Sequence, residues 1–158
     1  MNAASTHAQS FVLFPLGERR FALPTGDVLE LSRPGRVQEF PHTTPGLDGV
    51  LVRRGRILPV WDVARTLLGS NALVYKLYLL AWRKFDAARE CTAIQVSGEC
   101  QLVHGEMQPP SDQQPAYVRG SLWVEAESVQ VLDLEMLAAA QHADGSQPRG
   151  AVAGKEKP

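Results

Sequence analysis

Two cysteines, four histidines and no surplus of either charge sign are what this chain of 158 residues has to offer reactive chemistry. Cys91 and Cys100 are too few for a disulfide framework, and a chain this long can build a hydrophobic core without one. A reducing compartment is the simpler expectation. His7, His42, His104 and His142 are scattered, with no i, i+4 pair and no Cys-x-x-Cys spacing, so no metal site is expected. Sixteen Lys and Arg against 17 Asp and Glu leave a net charge of −1, which supplies no global attraction for nucleic acid or an anionic membrane. No apolar run approaches the roughly 20 residues that cross a bilayer. The first ten residues have no basic cluster followed by an apolar stretch, so no secretory signal is expected. These absences point to a cytoplasmic protein with no direct membrane insertion.

Catalytic constellations are missing as well. There is no Gly-x-Ser-x-Gly elbow, no phosphate-binding glycine loop and no dinucleotide fingerprint. Cys91 has Arg89 and Glu90 beside it but no motif of an activated thiolate, and packing accounts for both cysteines. The sequence therefore assigns no catalytic residue and no cofactor, and an enzyme is not expected.

What is present is a series of short apolar runs, rich in β-branched and aromatic residues and cut at close intervals by Gly, Pro and Asp. Residues 11–14, 21–23, 49–52, 57–61, 74–82, 92–96, 120–124 and 129–132 read as strands. Residues 62–68 and 133–140 read as short helices, each opened by an Asp able to accept N–H bonds from the first turn. Residues 1–9 and 141–158 lack large apolar side chains and read as disordered tails, which leaves 10–140 as the structured region.

One offset recurs through that region. Asp133 follows Asp62 by 71 residues, Gly120 follows Gly49 by 71, Val131 follows Val60 by 71, and Ala93-Ile94 follow Ala22-Leu23 by 71. Each half then holds an opening strand, a hairpin around a charged turn (residues 18–20 and the longer 83–90), a second hairpin, and a closing helix. The second hairpins turn at residues 53–55 and 125–128. The pattern reads as an internal duplication. Strands at this spacing close most economically into small barrels, predicted here over about 10–69 and about 70–140, with a shared core because each alone would be marginal. Charge divides unevenly: residues 10–69 carry eight basic and six acidic residues, and residues 70–140 carry five and nine. Opposite-sign faces suit a protein that touches two partners or associates head to tail; an unevenly charged solvated surface would look the same.

The densest feature is Arg53, Arg54 and Arg56 around Gly55, at the tip of a hairpin with apolar flanks. A Gly there permits the positive φ of a tight turn. The arginines could contact phosphates, although the stacking aromatics of barrel-type nucleic-acid binders are not interleaved with them. They could dock on a protein partner, where Arg is enriched among energetically dominant residues. They could also be a solvated turn.

The order Phe11-Val12-Leu13-Phe14, Phe21-Ala22-Leu23, Val28-Leu29-Glu30-Leu31, Gly49-Val50, Arg54-Gly55 and Pro59-Val60-x-Asp62 resembles the CheW-like domain of bacterial chemotaxis coupling proteins, over about residues 10–140. The resemblance implies an all-β fold of two small SH3-like five-stranded β-barrels with a shared core and short helices. It implies a non-catalytic chemosensory adaptor in signal transduction, with the cytoplasmic tip of a chemoreceptor and the regulatory domain of a CheA-type histidine kinase as partners. Localisation would then be cytoplasmic, in association with membrane receptor arrays. Position by position, it pairs Glu30 with Arg54 on the receptor-binding face and puts Val28 and Gly49 in the same groove, Gly49 letting a receptor helix approach closely. Val52-Arg53 stands where the family has Asn-Leu, which makes this tip more basic than the family pattern. Pro59, Val60 and Asp62 are architectural, and Val12, Leu23, Leu51, Ile57 and Leu58 are core candidates. Ala93 and Ser97 stand where the family has Gly and Asp, and residues 105–115 read as an irregular loop; these departures imply a divergent member serving twitching or another non-flagellar output. A chain of 158 residues is not expected to include a receiver domain or a kinase catalytic region. The alternatives are a nucleic-acid-binding β-barrel using Arg53, Arg54 and Arg56, and a CheW-like interaction domain for a localisation partner.

Overall fold

The structure, a computed structural model, describes residues 8–33, 38, 46–69, 75, 77–85 and 88–145. In chain order these form β1 (Gln9–Leu16), β2 (Arg19–Pro24), a 3-10 turn (Thr25–Asp27), β3 (Val28–Ser32), β4 (Leu47–Arg53), β5 (Arg56–Trp61), α1 (Ala64–Leu68), β6 (Leu77–Phe85), β7 (Ala88–Val96), β8 (Gln101–Gly105), β9 (Val118–Val124), β10 (Glu127–Leu132) and α2 (Leu134–Gly145).

The strands make two five-stranded sheets, ordered β8-β1-β2-β10-β9 and β3-β6-β7-β5-β4. Each curls until its outer strands meet. Gln38, beyond β3, exchanges two backbone hydrogen bonds with Val50 of β4 at 2.8 and 2.9 Å, and Gln108, beyond β8, does the same with Ser121 of β9 at 2.8 and 3.0 Å. Curling hides the backbone donors and acceptors that a flat sheet would leave on its edges. The all-β class, with two small five-stranded units and short helices, is the architecture the sequence implies.

Burial explains why the central strands read as nearly continuous apolar runs. Phe11 and Leu13 of β1 point into the interior of the first sheet with Ala22, Leu122, Val129 and Val131. Their alternates Phe14 and Leu16 face the other way, into a junction core with Phe21, Leu23, Trp61, Leu79, Ile94, Val96, Leu132 and Leu137. The second sheet repeats this: Leu51, Leu58, Val60, Tyr78, Leu80 and Ala93 fill its own interior, whereas Leu79, Ala81, Ile94 and Val96 face the junction. A strand buried on both faces loses the apolar-polar alternation of a half-exposed one. The two sheets therefore share one core at their interface.

The 71-residue offset holds in three dimensions. Shifted by 71 residues, β4 and β5 coincide with β9 and β10. The two parallel pairings also correspond, with Val60 opposite Ala93 in the second sheet and Val131 opposite Ala22 in the first. Those pairings overturn the expected partition into barrels of about 10–69 and about 70–140. β1 and β2 pair with β8–β10, and β3–β5 pair with β6 and β7, so every sheet draws strands from both halves. The physical cause is local: the 3-10 turn at Thr25–Asp27 carries the chain out of the first sheet immediately after β2, and residue pairs such as Val60–Ala93 then bind the halves together.

Smaller differences follow from register. Residues 83–90, expected as a long turn, are the paired arms of a hairpin, with Arg83 opposite Glu90 and Phe85 opposite Ala88. β8 was not expected as a strand; its burial pattern carries no fully buried position, so hydrophobicity does not announce it. Ile57, expected in the core, is 69% exposed, because the period-2 alternation that buries Leu58 turns Ile57 outward. Leu23, Leu51 and Leu58 are buried as expected, and Val12 packs half-buried against the junction. Tail residues 1–7 and 146–158 lie outside the described residues. Between them, β1 already begins at Gln9 and α2 runs past residue 140 to Gly145, with Gln141 buried. Residues 74 and 76 of an expected strand also lie outside.

Both helix-opening aspartates act as read. The Asp62 carboxylate accepts the Ala64 N–H at 3.0 Å and the Tyr75 hydroxyl at 2.6 Å. The Asp133 carboxylate accepts the N–H groups of Glu135 and Met136 at 3.0 and 3.1 Å. Gln141 ties the two regions together by donating from Nε2 to the Asp62 carbonyl at 3.0 Å. It does so against Gly46, where a Cβ would lie 2.6 Å from that nitrogen and φ is +78°.

Two outcomes test the shared core. Phe21→Ala should cost about 3–5 kcal/mol, and urea unfolding followed by tryptophan fluorescence and by far-UV circular dichroism should give one coincident transition, because the junction serves both sheets. Residues 1–69 expressed alone should show no dispersed amide spectrum, since they lack β6 and β7; a folded fragment would contradict the strand exchange.

Candidate functional site

The β4-β5 hairpin closes with Arg53 opposite Arg56. Arg54 and Gly55 form the turn, with φ of 52° and 76°. Two consecutive positive φ values are the twist-compatible geometry of a two-residue hairpin, for which Gly at the second position is suited and Arg at the first is unusual. Arg54 and Arg56 are both exposed.

Curling of the second sheet brings β3 to the side of β4 away from β5. There Arg53 donates from Nη2 to Glu30 Oε1 at 2.5 Å, with both side chains about 30% exposed (31% and 28%). That hydrogen bond is the main reason the Glu30 carboxyl sits below its ordinary pKa; partial desolvation opposes it, and the charges of Arg53 and then Arg54 add to it. The pairing of Glu30 with Arg54 implied by the family resemblance is thus corrected. Arg53, the last residue of β4, takes Glu30, and Arg54 has moved into the turn.

The six residues singled out in the sequence do not form one cluster. Glu30, Arg53, Arg54 and Arg56 gather at one rim of the second sheet. Val28 is half-buried, opposite Ala81 and packed on the junction core. Gly49 is buried opposite Val60, at the other end of β4, about 13 Å from Arg53 at the usual strand rise.

Sequence reasoning missed the exposed apolar side chains around this rim. Leu29 and Leu31 on β3, and Val52 and Ile57 directly opposite one another at the base of the hairpin, all stand open to solvent. The repeat offers a signal for two of them. Adding 71 to Leu31 and Val52 gives Leu102 and Trp123, which are the exposed large hydrophobics of the first sheet, Trp123 at 73%.

The equivalent hairpin of the first sheet has the same backbone and the opposite charge. Glu125 and Ala126 form its turn, with φ of 48° and 64°. Arg20 reaches over from β2 to donate to Glu125 at 3.2 Å and Glu127 at 2.7 Å. At the place equivalent to Arg20, the second sheet has Cys91. Its thiol is pushed up chiefly by burial, with Arg56 opposing. Burial likewise pushes Cys100 up to about 11, so neither sulfur is a ready nucleophile.

Between the sheets lies a cleft of about 300 Å³, bordered by Asp27, Trp82, Arg83, Arg119, Asp133 and Glu135. Arg119 lies 3.5 Å from Asp27, whose carboxyl is raised mainly by burial. Arg83 is buried on the Trp61 ring, 4.5 Å from its centroid, with Glu90 3.8 Å away. Among the described residues no group of three or more His, Cys, Asp or Glu could hold a metal, and no helix is long and apolar enough to cross a membrane. The exposed charges and apolar side chains sit on the rims of closed sheets, an arrangement that can dock partners.

Three similarities to known proteins bear on this geometry. A family model described as the CheW-like domain matches residues 10–142. Protein FrzA of Myxococcus xanthus is 36% identical over 66 residues, which cover 42% of this chain and 41% of that protein, so the match spans about two fifths of that relative's length. The crystal structure of scaffolding protein TtCheW from Thermoanaerobacter tengcongensis aligns with a TM-score of 0.71 at 19% identity, over 83% of this chain and 92% of that one. At that identity the likeness is one of fold.

The Glu30 contact predicts a pH signature. Its folded pKa lies below the unfolded one, so the contact contributes stability above the unfolded carboxylate range and loses it as pH falls through the depressed folded value. In carboxyl-carbon NMR titrations, Arg53→Ala should return Glu30 upward to the ordinary range, whereas Arg54→Ala should move it far less. Equal shifts in the two variants would contradict the pairing.

Proposed function

The chain belongs to the CheW-like domain family, whose members are non-catalytic scaffolding adaptors, and we propose that within it this protein couples chemoreceptors to a CheA-type histidine kinase in the cytoplasm. The observation that carries the reading is the Glu30–Arg53 pair at the closed rim of the second sheet, next to the exposed Arg54, Arg56, Val52 and Ile57. Arg combined with apolar side chains is the composition of energetically dominant positions in protein interfaces. The receptor tip would engage this rim, and the kinase regulatory domain, itself CheW-like, would engage a rim of the other sheet. No bond is made or broken by the adaptor. A shared junction core makes the two sheets one body, so displacement at one rim is transmitted to the other as a change in contact free energy.

The nucleic-acid alternative draws on the same arginines and has less support, because Arg53 is committed to Glu30 and only Arg54 and Arg56 remain for phosphates. Nothing in the fold favours a localisation partner over a receptor.

Capture assays with a receptor cytoplasmic fragment and a kinase regulatory domain from the same genome test the proposal. The purified chain should retain both. Arg54→Glu should weaken receptor capture about tenfold or more, equivalent to roughly 1.4 kcal/mol, with an unchanged circular dichroism spectrum. Retention of neither protein would overturn the reading. Salt-sensitive binding of a single-stranded oligonucleotide would favour the phosphate alternative.

A further inference from the structure

We propose that the second sheet binds one water molecule beneath α2, held by the indole N–H of Trp61 and the guanidinium Nε–H of Arg83. Trp61, at the end of β5, and Arg83, on β6, are 7% and 8% exposed. Both nitrogens can only donate, and neither has a hydrogen-bond partner among the described residues. The Arg83 guanidinium lies over the Trp61 ring, 4.5 Å from its centroid, so its face is covered and its hydrogen-bonding edge is left to be satisfied. The Glu90 carboxylate stays 3.8 Å from Nη2, which balances charge without making a hydrogen bond. A buried donor without an acceptor loses its hydration and gains nothing in return, so two such donors on neighbouring side chains mark a place where an acceptor belongs.

The same two side chains border a recess of about 10 Å³, room for one water and not for two. Its walls are apolar where Ile94 of β7 and Leu134 and Leu137 of α2 contribute, and polar where Thr92 and Gln141 do. The Thr92 hydroxyl donates to the Ala81 carbonyl at 3.4 Å, and the Gln141 amide nitrogen donates to the Asp62 carbonyl at 3.0 Å. Each side chain therefore keeps an oxygen able to accept a proton from the water. Two donors and two acceptors are the full complement of a buried water. A chloride ion would use the donors alone and meet the Gln141 oxygen as a repulsive neighbour, and Arg83 already has Glu90 as counter-charge; the mixed lining and the small volume select water. The four polar partners come from β5, β6, β7 and α2, so the bound molecule is a joint that seats α2 on the second sheet beside the direct Gln141 bond. Neither a receptor nor a kinase takes part, so the outcome is independent of the function proposed above.

Water-to-protein NMR on the full chain tests the site. The Trp61 indole proton, assigned by its loss in Trp61→Phe, should give a cross-peak to water of opposite sign in NOESY and ROESY spectra, the mark of a long-lived bound molecule and not of proton exchange. The indole proton of Trp123, which is 73% exposed, should give no cross-peak of that kind. Arg83→Met, of similar length but without donors, should abolish the Trp61 cross-peak while leaving the circular dichroism spectrum unchanged. Should that variant fail to fold, crystals of the wild-type chain grown in sodium bromide decide the matter: density for one oxygen within about 3.2 Å of both nitrogens is expected, with no anomalous signal. A Trp61 proton without the cross-peak, a folded Arg83→Met chain that keeps it in full, a crystal with no density between the two nitrogens, or an anomalous bromide peak there overturns the proposal.

Discussion

The junction core governs the rest of this molecule. Phe14 and Phe21 meet there with ring centroids 6.2 Å apart, and around them lie Leu79, Ile94 and Val96 from the other sheet and Leu132 and Leu137 from the strand and helix that follow. Burial of each such side chain contributes about 1.5–3 kcal/mol, and neither sheet retains its share without the other. Because β1, β2, β6 and β7 are committed on both faces, little of their surface is left for partners. Recognition is pushed outward, to the hairpins and outer strands at the rims.

At those rims the fold uses one backbone twice and varies the side chains. The closing bridges Gln38–Val50 and Gln108–Ser121, the turns at Arg54-Gly55 and Glu125-Ala126, and the exposed positions Val52 and Trp123 all correspond. What differs is charge. The Glu30–Arg53 contact spans the same seam that the Gln38 bridge closes, so a side-chain pair and a backbone pair hold β3 against β4 together. An ion pair of this exposure is a poor source of stability. Its evident structural effect is to fix where Arg53 points, which leaves Arg54 and Arg56 as the cations of that rim.

Much of the fold was legible in the chain. Apolar runs located the central strands because strands buried on both faces are hydrophobic throughout, and the aspartates at 62 and 133 marked both helix starts because capping chemistry is local. The offset of 71 located the repeat. Exchange of strands between the halves was not legible, since Val60–Ala93 and Val131–Ala22 are parallel pairings between distant segments that leave no local trace. Of the site, the basic tip and Glu30 were visible. The identity of the arginine that takes Glu30 was not, because one residue of register decides whether an Arg ends a strand or sits in a turn. Ile57 failed for the same reason: hydrophobicity gives the strand, and only register gives the face.

The exchange of strands also orders events as the chain is made. The first sheet waits for β8, β9 and β10, so β1 and β2, the first strands to be synthesised, have only each other until β8 and β10 are made. All five strands of the second sheet have been made once β7 has emerged, before β8, β9 and β10 of the first. Completion then falls to the last elements, with β10 docking in parallel on β2 and α2 bringing Gln141 to the Asp62 carbonyl. The rim of the second sheet is thus complete in the chain before that of the first, and the junction core then joins the two into a single body.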